Sequence, residues 1–217
     1  MEPLLRSLGK IRDQVKCLNK FIIEALACFV FLFLAACGSG SIDNAVIISV
    51  KDQKMLLINK GKPVKTYPVS TSKFGVGNTR GSMCTPLGHM EIAGKIGRGA
   101  PAGAVFKSRK RTGEILRVNA PGRDPIVSRI LWLNGKQRSN SNTYSRLIYI
   151  HGTPEERSIG HKASYGCIRM KSRDVIAIYK QLAVGSRVQI IPGSLRNTPV
   201  GQTHLAQTEG YLPAAGN

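Results

Sequence analysis

One imidazole and one thiol stand out as a possible catalytic pair. His151 lies in Ile150-His151-Gly152-Thr153, at the end of the apolar run Leu147 to Ile150, and Cys167 follows 167 − 151 = 16 positions later in Ser164-Tyr165-Gly166-Cys167-Ile168-Arg169-Met170. A thiolate is the strongest nucleophile among common side chains, and a nearby imidazole can take up its proton near neutral pH. That is the requirement for cysteine acyl transfer. A histidine and a cysteine alone establish little, because free cysteine most often serves as a small buried hydrophobe. The surrounding order of residues carries the reading.

That order is a strand, His-Gly-Thr, a loop of about a dozen residues and then Ser-x-Gly-Cys-x-Arg-Met. It resembles the signature of the L,D-transpeptidase catalytic domain, the YkuD-like family of peptidoglycan enzymes. Upstream, Thr85-Pro86-Leu87-Gly88 resembles the family's Thr-Pro-x-Gly turn, followed in both cases by a strand, here His89 to Ala93. The similarity spans about Ala45 to Pro192.

The resemblance implies Cys167 as nucleophile, His151 as base and the backbone carbonyl of Gly152 as the group that orients His151. It also implies that Arg169 holds the free carboxylate of a peptidoglycan stem peptide. No cofactor is called for. The backbone N–H groups of Gly166 and Cys167 are the natural donors to a tetrahedral oxyanion. The family usually has histidine where this chain has Tyr165. Tyrosine keeps a ring and a hydrogen-bonding tip, but its ordinary pKa near 10 makes it no base at neutral pH. Tyr165 is expected to pack beside the thiol or to shape the donor pocket, with Ser164 as a local hydrogen-bonding partner at the substrate site.

Other readings compete. Arg169 could instead form a structural ion pair. His161 is nearer to Cys167 in the chain, but the polar Gly160-His161-Lys162 reads as exposed loop. His89 is expected to face the same cleft. Zinc bound by His151, His161 and Cys167 lacks a fourth ligand and tight spacing. Gly75-x-Gly77 lacks the helix and lysine of a phosphate loop.

The formal charge is +20 and the pI about 10.2. Residues 1–37 hold five basic and three acidic residues, so the remainder keeps 27 − 9 = +18. The excess lies in loops such as Lys107 to Arg111 and Arg169 to Arg173, without interleaved aromatics. This argues against nucleic acid and for a polyanionic cell envelope.

Arg6, Lys10, Arg12, Lys16 and Lys20 precede the apolar stretch Phe21 to Ala36, broken by Glu24 and ending in Leu34-Ala35-Ala36-Cys37. That is the layout of a secretion signal. Its end resembles a lipobox, which implies a lipid on Cys37 and a periplasm-facing lipoprotein. A retained span needs about 20 apolar residues, and only twelve, Ala25 to Ala36, are free of charge. Gly38 and Ser39 supply no acidic retention signal, so resemblance to lipoproteins of two-membraned bacteria favours the outer membrane. Cleavage would leave Cys37, Cys84 and Cys167. A Cys84–Cys167 disulfide would consume the nucleophile, so Cys84 reads as packing.

The expected organisation is a signal segment over 1–37, a linker over 38–44, a catalytic domain over 45–192 and a tail without regular structure over 193–217. Strands are expected at Val46 to Val50, Met55 to Asn59, Pro63 to Ser70, His89 to Ala93, Ile115 to Asn119, Ile126 to Leu133, Leu147 to His151 and Arg187 to Ile191. One helix is well signalled. Ser172 is a fitting N-cap, Val175, Ile176, Tyr179 and Leu182 fall at helical spacing, and Gly185 closes it. Asn134 to Tyr144 reads as a mobile polar loop near substrate.

The fold class is mainly β: a mixed, mainly antiparallel, sandwich- or barrel-like domain with one helix bracing the cysteine loop. The expected activity is transfer of a stem-peptide acyl group to an amine. The alternatives are an L,D-carboxypeptidase, with water as acceptor, and a noncatalytic envelope-binding lipoprotein.

Overall fold

The chain forms ten strands, most of them from apolar runs or alternating segments, in a computed structural model that describes residues 41–209. The expected signal segment, Cys37 and the start of the linker lie outside the described residues. The strands are β1 (Asn44–Ser49), β2 (Lys54–Asn59), β3 (Lys62–Pro68), β4 (Gly88–Ile96), β5 (Ala104–Lys107), β6 (Lys110–Ile115), β7 (Ile126–Gly135), β8 (Tyr149–Gly152), β9 (Ile168–Met170) and β10 (Arg187–Ile191). The helices are α1 (Ser172–Gln181) and α2 (Pro199–Glu209).

The strands make one sheet in the order β3-β2-β1-β10-β4-β7-β5-β6, with β8 paired to β7 and β9 to β8. Pairing is antiparallel except for β1 with β10 and β8 with β9. The domain is therefore mainly β, mixed and mainly antiparallel, as expected.

Successive side chains on a strand point to opposite faces, and this alternation divides the core in two. Leu131 and Leu133 of β7, Ile150 of β8, and Ile168 and Met170 of β9 enter the main core with Val175, Ile178 and Tyr179 of α1. Val175 and Ile178 are fully buried, each stabilising the helix's seat by about 1.5–3 kcal/mol. The intervening residues Ile130, Trp132 and Tyr149 pack on the other side with Phe106 and Cys167.

α1 starts differently from expectation. Ser172 is its first residue, and Lys171 holds the cap position in extended backbone without a side-chain bond. The Ser172 N–H donates instead to Glu156 Oε1 at 2.8 Å. A carboxylate from the β8–β9 connection thus sits at the positive end of the helix. The Ser172 hydroxyl accepts from Ser128 at 2.8 Å.

Several expectations need correction. The tail is not without structure: Leu195 and Val200 pack against Ile47, Leu56 and Ile58. Val46-Ile47-Ile48 and Met55-Leu56-Leu57-Ile58 are apolar at consecutive positions, so both faces of that part of the sheet need cover, and the segment leading into α2 covers one. Residues 210–217 lie outside the described residues. The end of the expected linker is already built in, with Ser41 N–H donating to Gln181 O at 3.0 Å and Asn44 Nδ2 to the same oxygen at 2.8 Å.

The strand expected at Ile115 to Asn119 ends at Ile115. It belongs to a β5–β6 hairpin turned through Ser108 and Arg109, both with positive φ. Lys110 to Gly113 are exposed, so no apolar alternation marked the hairpin. Leu147, expected as strand, is a turn residue at φ +59°.

Replacing Glu156 with Ala should lower the unfolding free energy by about 1 kcal/mol, measured by urea denaturation. Glu156→Gln, which keeps an acceptor, should lose less. Equal stability of both variants and the wild type would show that the carboxylate does not cap the helix.

Candidate active site

The parallel pairing of β8 with β9 sets Ile150 opposite Ile168 and His151 opposite Arg169. Cys167, one residue before β9, then comes level with Tyr149, whose N–H donates to Cys167 Sγ at 3.4 Å. Residues paired in neighbouring strands share a face, as do residues two apart on one strand. Tyr149, His151, Cys167 and Arg169 therefore lie on one side of the sheet. His151 and Cys167 are diagonal neighbours there, a relation in which backbones stand about 7 Å apart and ring side chains reach across.

His151 is only 5% exposed. Its Nδ1 lies 2.8 Å from the carbonyl oxygen of Gly152. A carbonyl can only accept, so Nδ1 carries the hydrogen and Nε2 keeps the lone pair. Position 152 admits no side chain: a Cβ there would stand 2.6 Å from Val127 O and 3.2 Å from Val175 Cγ1. Burial pushes the imidazole down to about 4, opposed by the Gly152 bond; Arg169 pushes the same way as burial and Asp124 the other.

Cys167 is partly exposed and free. Besides the Tyr149 N–H, its Sγ has Leu147 O at 3.5 Å. Burial pushes the thiol up to about 11, against the Tyr149 N–H and the charges of Arg169 and Arg146. At neutral pH the resting pair is thus a neutral thiol and a neutral imidazole.

The turn before the cysteine is braced from within. Ser164, expected at the substrate site, is fully buried. Its hydroxyl accepts from Gly166 N–H at 3.3 Å and donates to Cys167 O at 2.5 Å. Of the two expected oxyanion donors, Gly166 N–H is thus drawn toward Ser164, while Cys167 N–H is free of that turn. Gly166 has φ +115°, and its carbonyl accepts from the buried Thr85 hydroxyl at 3.0 Å. The Thr-Pro turn is therefore a support for the cysteine loop.

Arg169 forms the structural ion pair. Its Nη1 lies 2.6 Å from Asp124 Oδ2, and the residue is 8% exposed. The other Asp124 oxygen accepts from the Thr153 hydroxyl. The guanidinium expected to receive a substrate carboxylate already holds an internal one. Tyr165, by contrast, is 55% exposed.

Two residues escaped the sequence reading. Asp124 sits in the loop before β7, where no motif marks it. Arg146 Nη2 donates to Cys84 O at 2.7 Å, and its Nη1 to Gly77 O and Asn78 Oδ1 at 3.1 and 3.2 Å. It fastens the loop carrying Cys84 beside the thiol. Burial pulls its pKa down, and Cys84 and Cys167 oppose that. A lone arginine in a polar stretch gives no signal of this.

His161 is exposed. His89 does not face the cleft: it is exposed and lines a separate groove with Asp43, Lys136 and Arg187. Cys84 is free and half-buried, its Sγ 3.2 Å from Phe74 O. The loop expected to be mobile is pinned, since the buried Asn140 donates to Leu87 O and His89 O at 2.9 and 3.0 Å. Tyr144 at its end stacks 4.0 Å from Trp132, which meets Tyr149 edge-on. Among the described residues, no group of three or more His, Cys, Asp or Glu is placed to hold a metal ion.

A family model described as the L,D-transpeptidase catalytic domain matches residues 43–190. The Bacillus subtilis protein YqjB, named as an L,D-transpeptidase, is 44% identical over 148 residues, 68% of this chain and 71% of YqjB. YbiS of Escherichia coli, named likewise, is 38% identical over 62 residues, 28% of this chain but only 20% of YbiS. Among solved structures, an L,D-transpeptidase from Mycobacterium smegmatis superimposes at TM-score 0.46 with 16% identity, over 69% of this chain and 58% of that one.

The buried neutral imidazole makes stability depend on pH. The unfolded chain takes up a proton at His151 near 6.5, the folded one only near 4. Below 6.5 the unfolded state binds more protons, so stability falls as pH falls toward 4, by about 3 kcal/mol in all. Urea midpoints measured from pH 7 to 5, above most carboxylate titration, should fall in the wild type and less in His151→Gln. Equal slopes would remove His151 as the source.

Proposed function

Because the chain belongs to the L,D-transpeptidase catalytic-domain family, we propose that it transfers the acyl group of a peptidoglycan stem peptide through a thioester on Cys167. The observation that carries this reading is the Gly152 carbonyl on His151 Nδ1 at 2.8 Å. It leaves Nε2 as the free base on the face that Cys167 shares.

Both groups rest neutral, so the proton passes from sulfur to Nε2 as the sulfur attacks, not beforehand. The attack breaks the L,D bond, and His151 returns the proton to the departing terminal D-alanine. An amine from a second stem or from a protein lysine then attacks the thioester carbon and expels the Cys167 sulfur, its proton passing through His151 back to that sulfur. The Cys167 N–H is the donor best placed for the oxyanion, in a turn held by Ser164 and Thr85. Arg169, locked to Asp124, acts by positioning β9 against β8. The lipid on Cys37 tethers the domain to the periplasmic side of the envelope, at the outer membrane; this part of the reading rests on residues 1–39.

Replacing Cys167 with Ala should abolish turnover of purified wall fragments while the urea midpoint stays close to wild type. Mass analysis of products should show cross-linked stems or acyl transfer to lysine. Trimmed stems alone would make the protein a carboxypeptidase, and no product from the wild type a binding module.

The pH dependence of acylation should be flat from about 5 to about 10, because His151 titrates at about 4 and Cys167 at about 11. Limbs between pH 6 and 8.5 would mean that the resting pair is a thiolate and an imidazolium.

A further inference from the structure

Beside the cysteine turn stands a cation that the steps above do not use. Lys73 lies in the loop after β3, where Ser72 bridges to Ser164 and the Lys73 N–H donates to Ser164 O at 3.1 Å. Its ammonium donates to Tyr165 Oη at 3.1 Å. It also stands 4.4 Å from the centre of the Tyr165 ring and 5.3 Å from that of Phe74. The two rings are 5.7 Å apart and about half exposed. Tyr165 is two residues before Cys167, so their Cα atoms are at most about 7 Å apart.

Lys73 and the two arginines whose charges act on the thiol, Arg169 and Arg146, differ in what holds them. Arg169 is neutralised by Asp124. Arg146 is half-buried and spent on the oxygens of Gly77, Asn78, Ser82 and Cys84. Lys73 is exposed, and its ammonium is aimed by a phenol and two ring faces, neutral groups that orient a charge without cancelling it. Among the described residues no carboxylate lies within ion-pairing distance of it. A positive charge so oriented and uncompensated, on the turn that leads into the nucleophile, suits an anionic group on the substrate.

We propose that Lys73, held by Tyr165 and Phe74, receives the C-terminal carboxylate of the donor peptide, the task that the Asp124 pairing takes from Arg169. The assignment rests on the stem-peptide reading above. It also explains Tyr165 at the position where the family usually has histidine: the phenol aims the lysine and is not a base.

The test is calorimetric binding of a stem tetrapeptide and its C-terminal carboxamide to the full chain carrying Cys167→Ala, with and without Lys73→Met or Tyr165→Phe. Amidation should weaken binding about tenfold to a hundredfold, the range of a charge-assisted hydrogen bond. Lys73→Met should weaken the acid by the same factor and leave the amide nearly unchanged. Tyr165→Phe, which keeps the ring, should fall between.

Equal losses for acid and amide, no loss for either, or no binding of the tetrapeptide would overturn the proposal. Turnover by the chain with Cys167 intact, followed by product mass, separates the two readings. Lys73-dependent binding of the acid without any product would sink the activity and leave the subsite standing. Product without such dependence would sink the subsite alone.

Discussion

Everything at this site depends on the parallel pairing of two short strands. With Ile150 opposite Ile168, strand alternation sends one set of side chains into the core under α1 and the other set, Tyr149, His151, Cys167 and Arg169, to the opposite face. A slip of one residue would invert every one of these positions. The register is held from both sides. Ile150, Ile168 and Met170 are fully buried, and on the other face the Asp124–Arg169 pair and the Tyr149 N–H on the sulfur fit only this alignment.

Burial then sets the chemistry. The same packing that fixes His151 and Cys167 shields them from water, the histidine almost wholly and the cysteine in part, pulling the imidazole down and pushing the thiol up. Each is kept neutral because the interior disfavours its charged form. What remains is an imidazole with a defined tautomer and, on the same face of the sheet, a thiol that keeps its proton. The neutral Gly152 carbonyl can orient the ring without a charge that would draw a proton onto it. That fits a site where both partners rest uncharged.

Around this pair the chain invests in support. Thr85 braces Gly166, Ser164 closes the turn through Gly166 and Cys167, and Arg146 ties down the loop of Cys84. Glu156 links the β8–β9 connection to the helix that underlies both strands. Charges that look available in the sequence are largely committed to these tasks. The exposed aromatic and cationic group at Lys73, Phe74 and Tyr165 is the contrasting case.

The sequence by itself determined the strands with apolar runs and the helix after the cysteine, and it singled out His151, Gly152, Gly166 and Cys167 as one candidate group. Period, punctuation and residue chemistry are local properties that can be read along a chain. Only the tertiary structure decided what each polar group is paired with. Arg169 went to Asp124, Ser164 to its own turn, Arg146 to the Cys84 loop and His89 to a different groove, while the chain after β10 became cover for an apolar sheet face. The physical reason is that a hydrogen bond or ion pair is made with whatever folding brings within about 3 Å. These partners come from segments tens of residues away, whose approach no local pattern records.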